Sequence, residues 1–342
     1  MRRFPAEWEN QQGILLCFPD NGNDWPGKYQ AIQWAFVEFI KKVSLYEDVF
    51  LVVANDKLKE KVTEMLTQAN INLEKISFIN QKTNRSWMRD SGPIIVKNNN
   101  KREALQFKFT GWAKYSNHQL DKFVPEQVAN FLDIPITQVT YKGKPVVMEG
   151  GALEINGRGT LITTEECLLH PTIQVRNPGF TKEDYLAVFK EYLGITNIIW
   201  LGNGVIGDDT HGHIDDLCRF VNENTVVTVI ETDKKSANYK PLQENLKILQ
   251  NASLENGEKL NIVTLPMPKD IVFEDLTLPA SYANFLILNN CVLMPTFNDV
   301  NDRVALNILA DCFPNREIIG INAIDLIWGF GTLHCLSQQI PS

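Results

Sequence analysis

Short apolar runs and amphipathic helical stripes alternate along this chain from end to end. Ile14–Phe18, Val49–Val53, Pro93–Val96, Thr160–Thr163, Asn197–Trp200, Thr225–Ile230, Asn261–Leu265 and Glu317–Ile321 read as strands. Several are apolar nearly throughout, as strands covered on both faces are. Between them, Tyr29–Tyr46 puts Ile32, Ala35, Phe36, Phe39, Ile40 and Val43 on one helical stripe. Lys57–Ala69, Gln119–Leu132, Lys182–Leu193, Lys240–Leu249 and Asn301–Cys312 repeat the pattern, and Thr181 before Lys182-Glu183-Asp184 reads as an N-cap with an acidic first turn. Asn289-Asn290, between Phe285–Leu288 and Cys291–Met294, reads as a hairpin turn. Such an order predicts an α/β fold. With no Pro/Ser/Gly-rich linker, it predicts one domain over residues 1–342. No literal repeat is visible, which leaves structural repetition undecided.

Composition narrows the partners. The formal charge is −8, from 33 basic and 41 acidic residues, and it favours cationic ligands over nucleic acid. No run of ~18 apolar residues occurs, so no membrane partner is expected. The six cysteines form no Cys-x-x-Cys pair, which argues against a disulfide framework and a zinc ribbon and for a reducing, cytoplasmic compartment. Met1-Arg2-Arg3 is followed by Glu7 and Glu9 where a signal peptide needs apolar residues. A homo-oligomer stays open.

Four clusters carry ionisable groups. Trp87-Met88-Arg89-Asp90-Ser91-Gly92-Pro93 places Asp90 in a turn at a strand mouth, where it serves chemistry or merely caps the turn. Glu149 stands beside Gly150-Gly151, either in an ordinary hairpin or where a backbone approaches something closely. In Gly207-Asp208-Asp209-Thr210-His211-Gly212-His213-Ile214-Asp215-Asp216, an extended chain would point His211, His213 and Asp215 the same way. Gly329-Phe330-Gly331-Thr332-Leu333-His334-Cys335 has glycines suited to the close approach of an exposed thiol. Cys17, Cys167, Cys218, Cys291 and Cys312 read instead as small buried hydrophobes.

Two chemistries compete for these residues. A metal-dependent hydrolase would use His211, His213 and Asp215. However, Asp216 stands where the Thr-His-x-His-x-Asp-His signature needs a histidine, and only His118, His170 and His334 remain elsewhere. The other chemistry is cysteine attack on a small cationic guanidine compound. A guanidinium is always charged, planar and donor-only, so burying it needs paired carboxylates. A thiolate must meet its central carbon, and a histidine must serve the leaving ammonia and the incoming water. Asp90, Asp215, His213, Cys335 and Glu149 complete that inventory.

The motifs also have a familiar order. Phe4-Pro5-Ala6-Glu7-Trp8-Glu9, Cys17-Phe18-Pro19, Asp24-Trp25, the Trp87–Pro93 cluster, Glu149-Gly150-Gly151, Arg176-Asn177-Pro178, the Gly207–Asp216 cluster and His334-Cys335-Leu336-Ser337-Gln338-Gln339 span nearly the whole chain. The sequence resembles the agmatine deiminases, within the family that includes a bacterial peptidylarginine deiminase. The resemblance implies the pentein fold, a five-bladed pseudosymmetric α/β propeller of ββαβ-type units with its site at the centre. It implies hydrolysis of agmatine to N-carbamoylputrescine and ammonia through a Cys-thiouronium intermediate, in putrescine biosynthesis, with no cofactor or metal. By motif position, Cys335 corresponds to the nucleophile and His213 to the general acid/base. Asp90 and Asp215 correspond to the guanidinium-binding pair, and Glu149 to the acid supporting His213. Asp209 is the candidate for the distal amine, and Trp87 for the wall along the aliphatic linker. Where the family often reads Gly-Phe-Asn-Ala-Trp-Gly-Gly, this chain has Phe109-Thr110-Gly111-Trp112-Ala113-Lys114-Tyr115. That difference bears on the substrate tail, so arginine and peptidyl-arginine stay open as alternative substrates.

Overall fold

Five sheets of three or four strands carry the architecture, with two further two-stranded hairpins among the described residues. The computed structural model describes residues 2–342. Each large sheet repeats one plan: an antiparallel pair, then a helical crossover to a parallel neighbour. Cys218–Asn222 pairs antiparallel with Thr225–Ile230, which pairs in parallel with Asn261–Pro266 after the helix Tyr239–Asn251. Leu286–Ile287, Cys291–Thr296 and Glu317–Asn322 follow the plan with the helix Asp302–Cys312. Glu154–Ile155, Thr160–Thr164 and Asn197–Leu201 do so with Lys182–Leu193. Arg2–Arg3 and Ile136–Gln138 flank the pair Ile94–Asn98 and Lys101–Gln106. The remaining sheet joins the chain ends. Ser337–Pro341 lies antiparallel to Gln11–Cys17, which is followed in parallel by Asp48–Val53 and Ile76–Asn80. No literal repeat announced this, because the units share burial and connectivity rather than residues.

Local chemistry explains the elements. Tyr29–Ser44 buries Ile32, Phe36, Val37, Phe39, Ile40 and Val43 on one side, each contributing about 1.5–3 kcal/mol on full burial. Thr181 forms a reciprocal capping box with Asp184, and Gly194 closes that helix at φ 74°. The expected helix over Gln119–Leu132 is shorter. The helix runs Val124–Phe131 after a 3₁₀ turn at Asp121–Phe123, because Pro125 is tolerated only in a first turn. Asp90 sits in a single helical turn, Met88–Ser91, rather than the open turn expected from Gly92-Pro93, and the strand begins at Ile94. Among the described residues no helix is long and apolar enough to cross a membrane. All six cysteines are free.

Candidate active site

The junction of the chain ends places a thiol on a cavity floor. Cys335 follows the 3₁₀ turn Ile327–Gly329 and precedes Ser337–Pro341, whose pairing Ser337↔Leu16 anchors it two residues away. The cavity, about 310 Å³, is lined by Cys335, Asp90, Trp87, Trp112, Tyr115 and Asp209 among others. Trp87 stacks on Trp25 with centroids 5.3 Å apart. The glycines ahead of the thiol are required by this wall. A Cβ on Gly331 would lie 2.6 Å from the Trp87 ring, and one on Gly329 would lie 2.6 Å from the Trp25 indole nitrogen.

Asp90 is oriented by both of its oxygens. Trp112 Nε1 donates to Oδ2 at 2.8 Å, and the backbone N–H of Gly151 donates to Oδ1 at 3.1 Å. A Cβ on Gly151 would meet His213 Nδ1 at 2.4 Å and Asp90 Oδ1 at 3.0 Å, so only glycine lets these two side chains approach. Burial first, then Asp215 and Glu149, push the Asp90 carboxyl up to about 6, with His213 and the Trp112 hydrogen bond opposing.

His213 is fully buried between carboxylates, with Nδ1 3.8 Å from Asp90 and Nε2 3.7 Å from Glu149. Both distances exceed hydrogen-bond length, and neither ring nitrogen has a partner among the described residues. Burial lowers the imidazolium pKa, but Asp90, Cys167 and Glu149 raise it well above its ordinary value. Arg176 Nε in turn donates to both Glu149 oxygens at 3.2 Å. Burial would raise Glu149, yet Arg176 and His213 hold it below its usual value. The loop leading to His213 is shaped by Asp208. Its Oδ2 accepts from the N–H groups of Gly212 and His213, each at 2.8 Å.

Asp215 Oδ2 lies 2.7 Å from His334 Nδ1 and 3.5 Å from Cys335 Sγ, while Oδ1 has no partner among the described residues. The other ring nitrogen of His334 reaches Glu7 Oε2 at 3.0 Å. Burial, then Asp215, Asp216 and Asp90, hold the Cys335 thiol well above its ordinary pKa, with Asn284 opposing. The free enzyme therefore holds Cys335 as a thiol near neutral pH, donating toward Asp215.

The sequence candidates divide into two layers. Cys335, Asp90, Trp87 and Asp209 line the cavity, whereas His213, Glu149 and Asp215 lie fully buried behind Asp90 and Cys335. Asp209 is already engaged at the mouth, by Lys114 Nζ at 2.5 Å and the Tyr115 hydroxyl at 2.7 Å. The alignment of His211, His213 and Asp215 does not occur. The segment is curled, with Gly207 and Gly212 at φ 90° and His211 at φ 69°. His211 turns away to Glu166 Oε1 at 3.5 Å and to the ring of His170. Those three side chains therefore offer no shared metal site. Cys167 is not an isolated hydrophobe, since it lies with Glu149 and His213 in one tight group, and Cys312 is only half-buried. Asn284, Cys167 and the roles of His334, Arg176 and Glu7 were not anticipated as site features. The motif positions of Glu7, Arg176 and His334 were the one signal that pointed toward them.

The model of the Porphyromonas-type peptidyl-arginine deiminase family matches residues 3–341. The chain belongs to that family. A putative agmatine deiminase of Yersinia pseudotuberculosis is 32% identical over 99% of this chain and 95% of its own. The agmatine deiminase of Enterococcus faecalis superposes with a TM-score of 0.90 at 27% identity, covering 100% of this chain and 96% of the other. A Cys-to-Ser variant of the C. jejuni agmatine deiminase, solved with substrate bound, does so at 0.88 and 30% identity, covering 100% and 97%. This deiminase-family chain thus has the mixed α/β pentein fold of those enzymes.

Proposed function

We propose that this chain is an agmatine deiminase, hydrolysing agmatine to N-carbamoylputrescine and ammonia as a step in putrescine formation. The observation that carries the reading is Asp215 Oδ1, a buried carboxylate oxygen without a partner, whose fellow Oδ2 lies 3.5 Å from the Cys335 thiol. Buried polar groups without partners are rare, and a planar, donor-only cation held against Asp90 would supply a partner to that oxygen. The guanidinium sits between Asp90 and Asp215, displacing the thiol's contact with Asp215. The bound cation then favours the thiolate, the thiol proton leaving to solvent, and the sulfur adds to the guanidinium carbon. Imidazolium His213 gives its proton to the departing nitrogen, so ammonia leaves a thiouronium on Cys335. Neutral His213 next takes a proton from water. The hydroxide adds to the same carbon, the C–S bond breaks, and the proton left on the urea product returns the departing sulfur to the thiol. Glu149, held by Arg176, keeps His213 charged for the first step.

The substrate's distal amine reaches Asp209, exchanging with Lys114 in a part-exposed pair worth about 1 kcal/mol or less, and Trp87 walls the tetramethylene linker. The five sheet units are the blades of a pseudosymmetric propeller around the cavity, forming one catalytic unit over 1–342. Free cysteines throughout support a cytoplasmic setting.

The test is ammonia release from agmatine, arginine and a blocked arginyl peptide. Agmatine is expected to give the largest kcat/KM, and a higher value for the peptide would overturn the assignment. The same assay reads Asp90. A neutral Asp90 cannot pair with the cation, so kcat/KM falls as pH drops below about 6. Bound substrate favours the carboxylate, so the acid limb of kcat lies at lower pH than that of kcat/KM. Coincident limbs would exclude Asp90 as the titrating group.

A further inference from the structure

We propose that Asn284 is a further catalytic residue, whose side-chain N–H donates to Cys335 Sγ and stabilises the thiolate as it forms. This rests on the reading of Cys335 as the nucleophile. Asn284 Nδ2 lies 3.0 Å from the sulfur and 2.9 Å from Asp216 Oδ1. The amide cannot be reversed. Its Oδ1 accepts from the Thr332 hydroxyl at 2.7 Å and from the N–H groups of His334 and Cys335 at 3.1 and 3.4 Å. With the oxygen committed to three donors, the nitrogen must face the sulfur and Asp216.

The charged groups that face the sulfur are acidic. Asp215, Asp216 and Asp90 each oppose its ionisation, as does burial, and Asn284 is the favourable contact. A donor on sulfur favours the thiolate over the thiol, since a hydrogen bond to a charged acceptor is the stronger one. The side chain is also held rigidly. Arg219 Nη1 donates to the carbonyls on either side of Asn284, Ala283 at 3.1 Å and Phe285 at 2.7 Å. Arg219 is fully buried and braced by Glu7 at 2.6 Å and Glu154 at 2.7 Å. Glu7 also receives Ile287 N–H and contacts His334, so one carboxylate near the N-terminus steadies both neighbours of the sulfur. The cost of aligning the donor is therefore met in folding, before substrate arrives. No bond is made or broken at Asn284.

Asn284→Asp is the sharpest variant. It keeps an oxygen for the two backbone N–H groups and turns the donor into a carboxylate against the sulfur. The rate of Cys335 alkylation by iodoacetamide, followed by mass across pH, reports thiolate formation without any substrate. Its midpoint is expected to rise by about one to two pH units, and kcat for agmatine to fall about 10–100-fold with a smaller change in KM. Asn284→Ala, which removes the donor without adding charge, is expected to shift both in the same direction, so the test survives misfolding of the first variant. An unmoved alkylation midpoint with kcat within about threefold of wild type, in either variant with an unchanged circular dichroism spectrum, overturns the proposal. A shifted midpoint in a protein that does not turn over agmatine would retain the contact and reject the substrate.

Discussion

Cys335→Ser is expected to abolish ammonia release, lowering kcat by more than about 10⁴-fold. The sulfur faces three carboxylates in a buried setting, where even a thiol ionises only with help. A serine hydroxyl at the same position ionises far less readily, and neither the bound cation nor Asn284 makes up that difference. The substitution removes little volume, and the adjoining Ser337↔Leu16 pairing uses backbone atoms, so the fold should persist. Substrate should still bind, because Asp90 and Asp215 remain. Equilibrium binding by calorimetry alongside the ammonia assay separates the two effects. A variant with more than about one per cent of wild-type kcat would show that the thiol is not the nucleophile.

His213→Gln should cost about 10²–10⁴ in kcat, the usual worth of a positioned acid–base group. Glutamine can fill much of the space between Asp90 and Glu149 but cannot carry a proton between the two half-reactions. Because Asp90, Cys167 and Glu149 outweigh burial and raise the imidazolium pKa, the protonated form persists above the ordinary histidine range. Wild-type activity should therefore be kept through neutral pH and lost as pH rises through that raised value, when the acid for ammonia departure disappears. The glutamine variant should lack this alkaline limb. Retention of the limb would assign it to a group other than His213. Rapid-quench mass spectrometry adds a check. A thiouronium adduct on Cys335 should build up if water activation suffers more than ammonia departure.

Much of the local structure was readable from residue spacing. The stripe on Tyr29–Ser44, the box at Thr181 and the turn at Asn289-Asn290 depend on neighbours a few positions apart. The period-two reading of His211, His213 and Asp215 failed for a physical reason. Asp208 draws the N–H groups of Gly212 and His213 onto one carboxylate oxygen, and the glycines permit the left-handed turns this requires. Asn284 offered no signal, because an asparagine inside an apolar segment has no distinctive spacing. Its partners Cys335 and Asp216 are 51 and 68 residues away.

What the sequence determined alone was the supply of chemistry and the layering: an α/β alternation, one thiol preceded by glycines, and an excess of acids suited to a cation. Tertiary structure decided which of those groups meet. Chain-end pairing seats Cys335 on the cavity floor, and Gly151 lets His213 close on Asp90. Arg219 fixes the backbone that aims Asn284. The reason is that hydrogen bonds and ionisation states depend on separations of a few ångströms between groups far apart along the chain. Local propensity sets each segment's shape but carries no information about those separations.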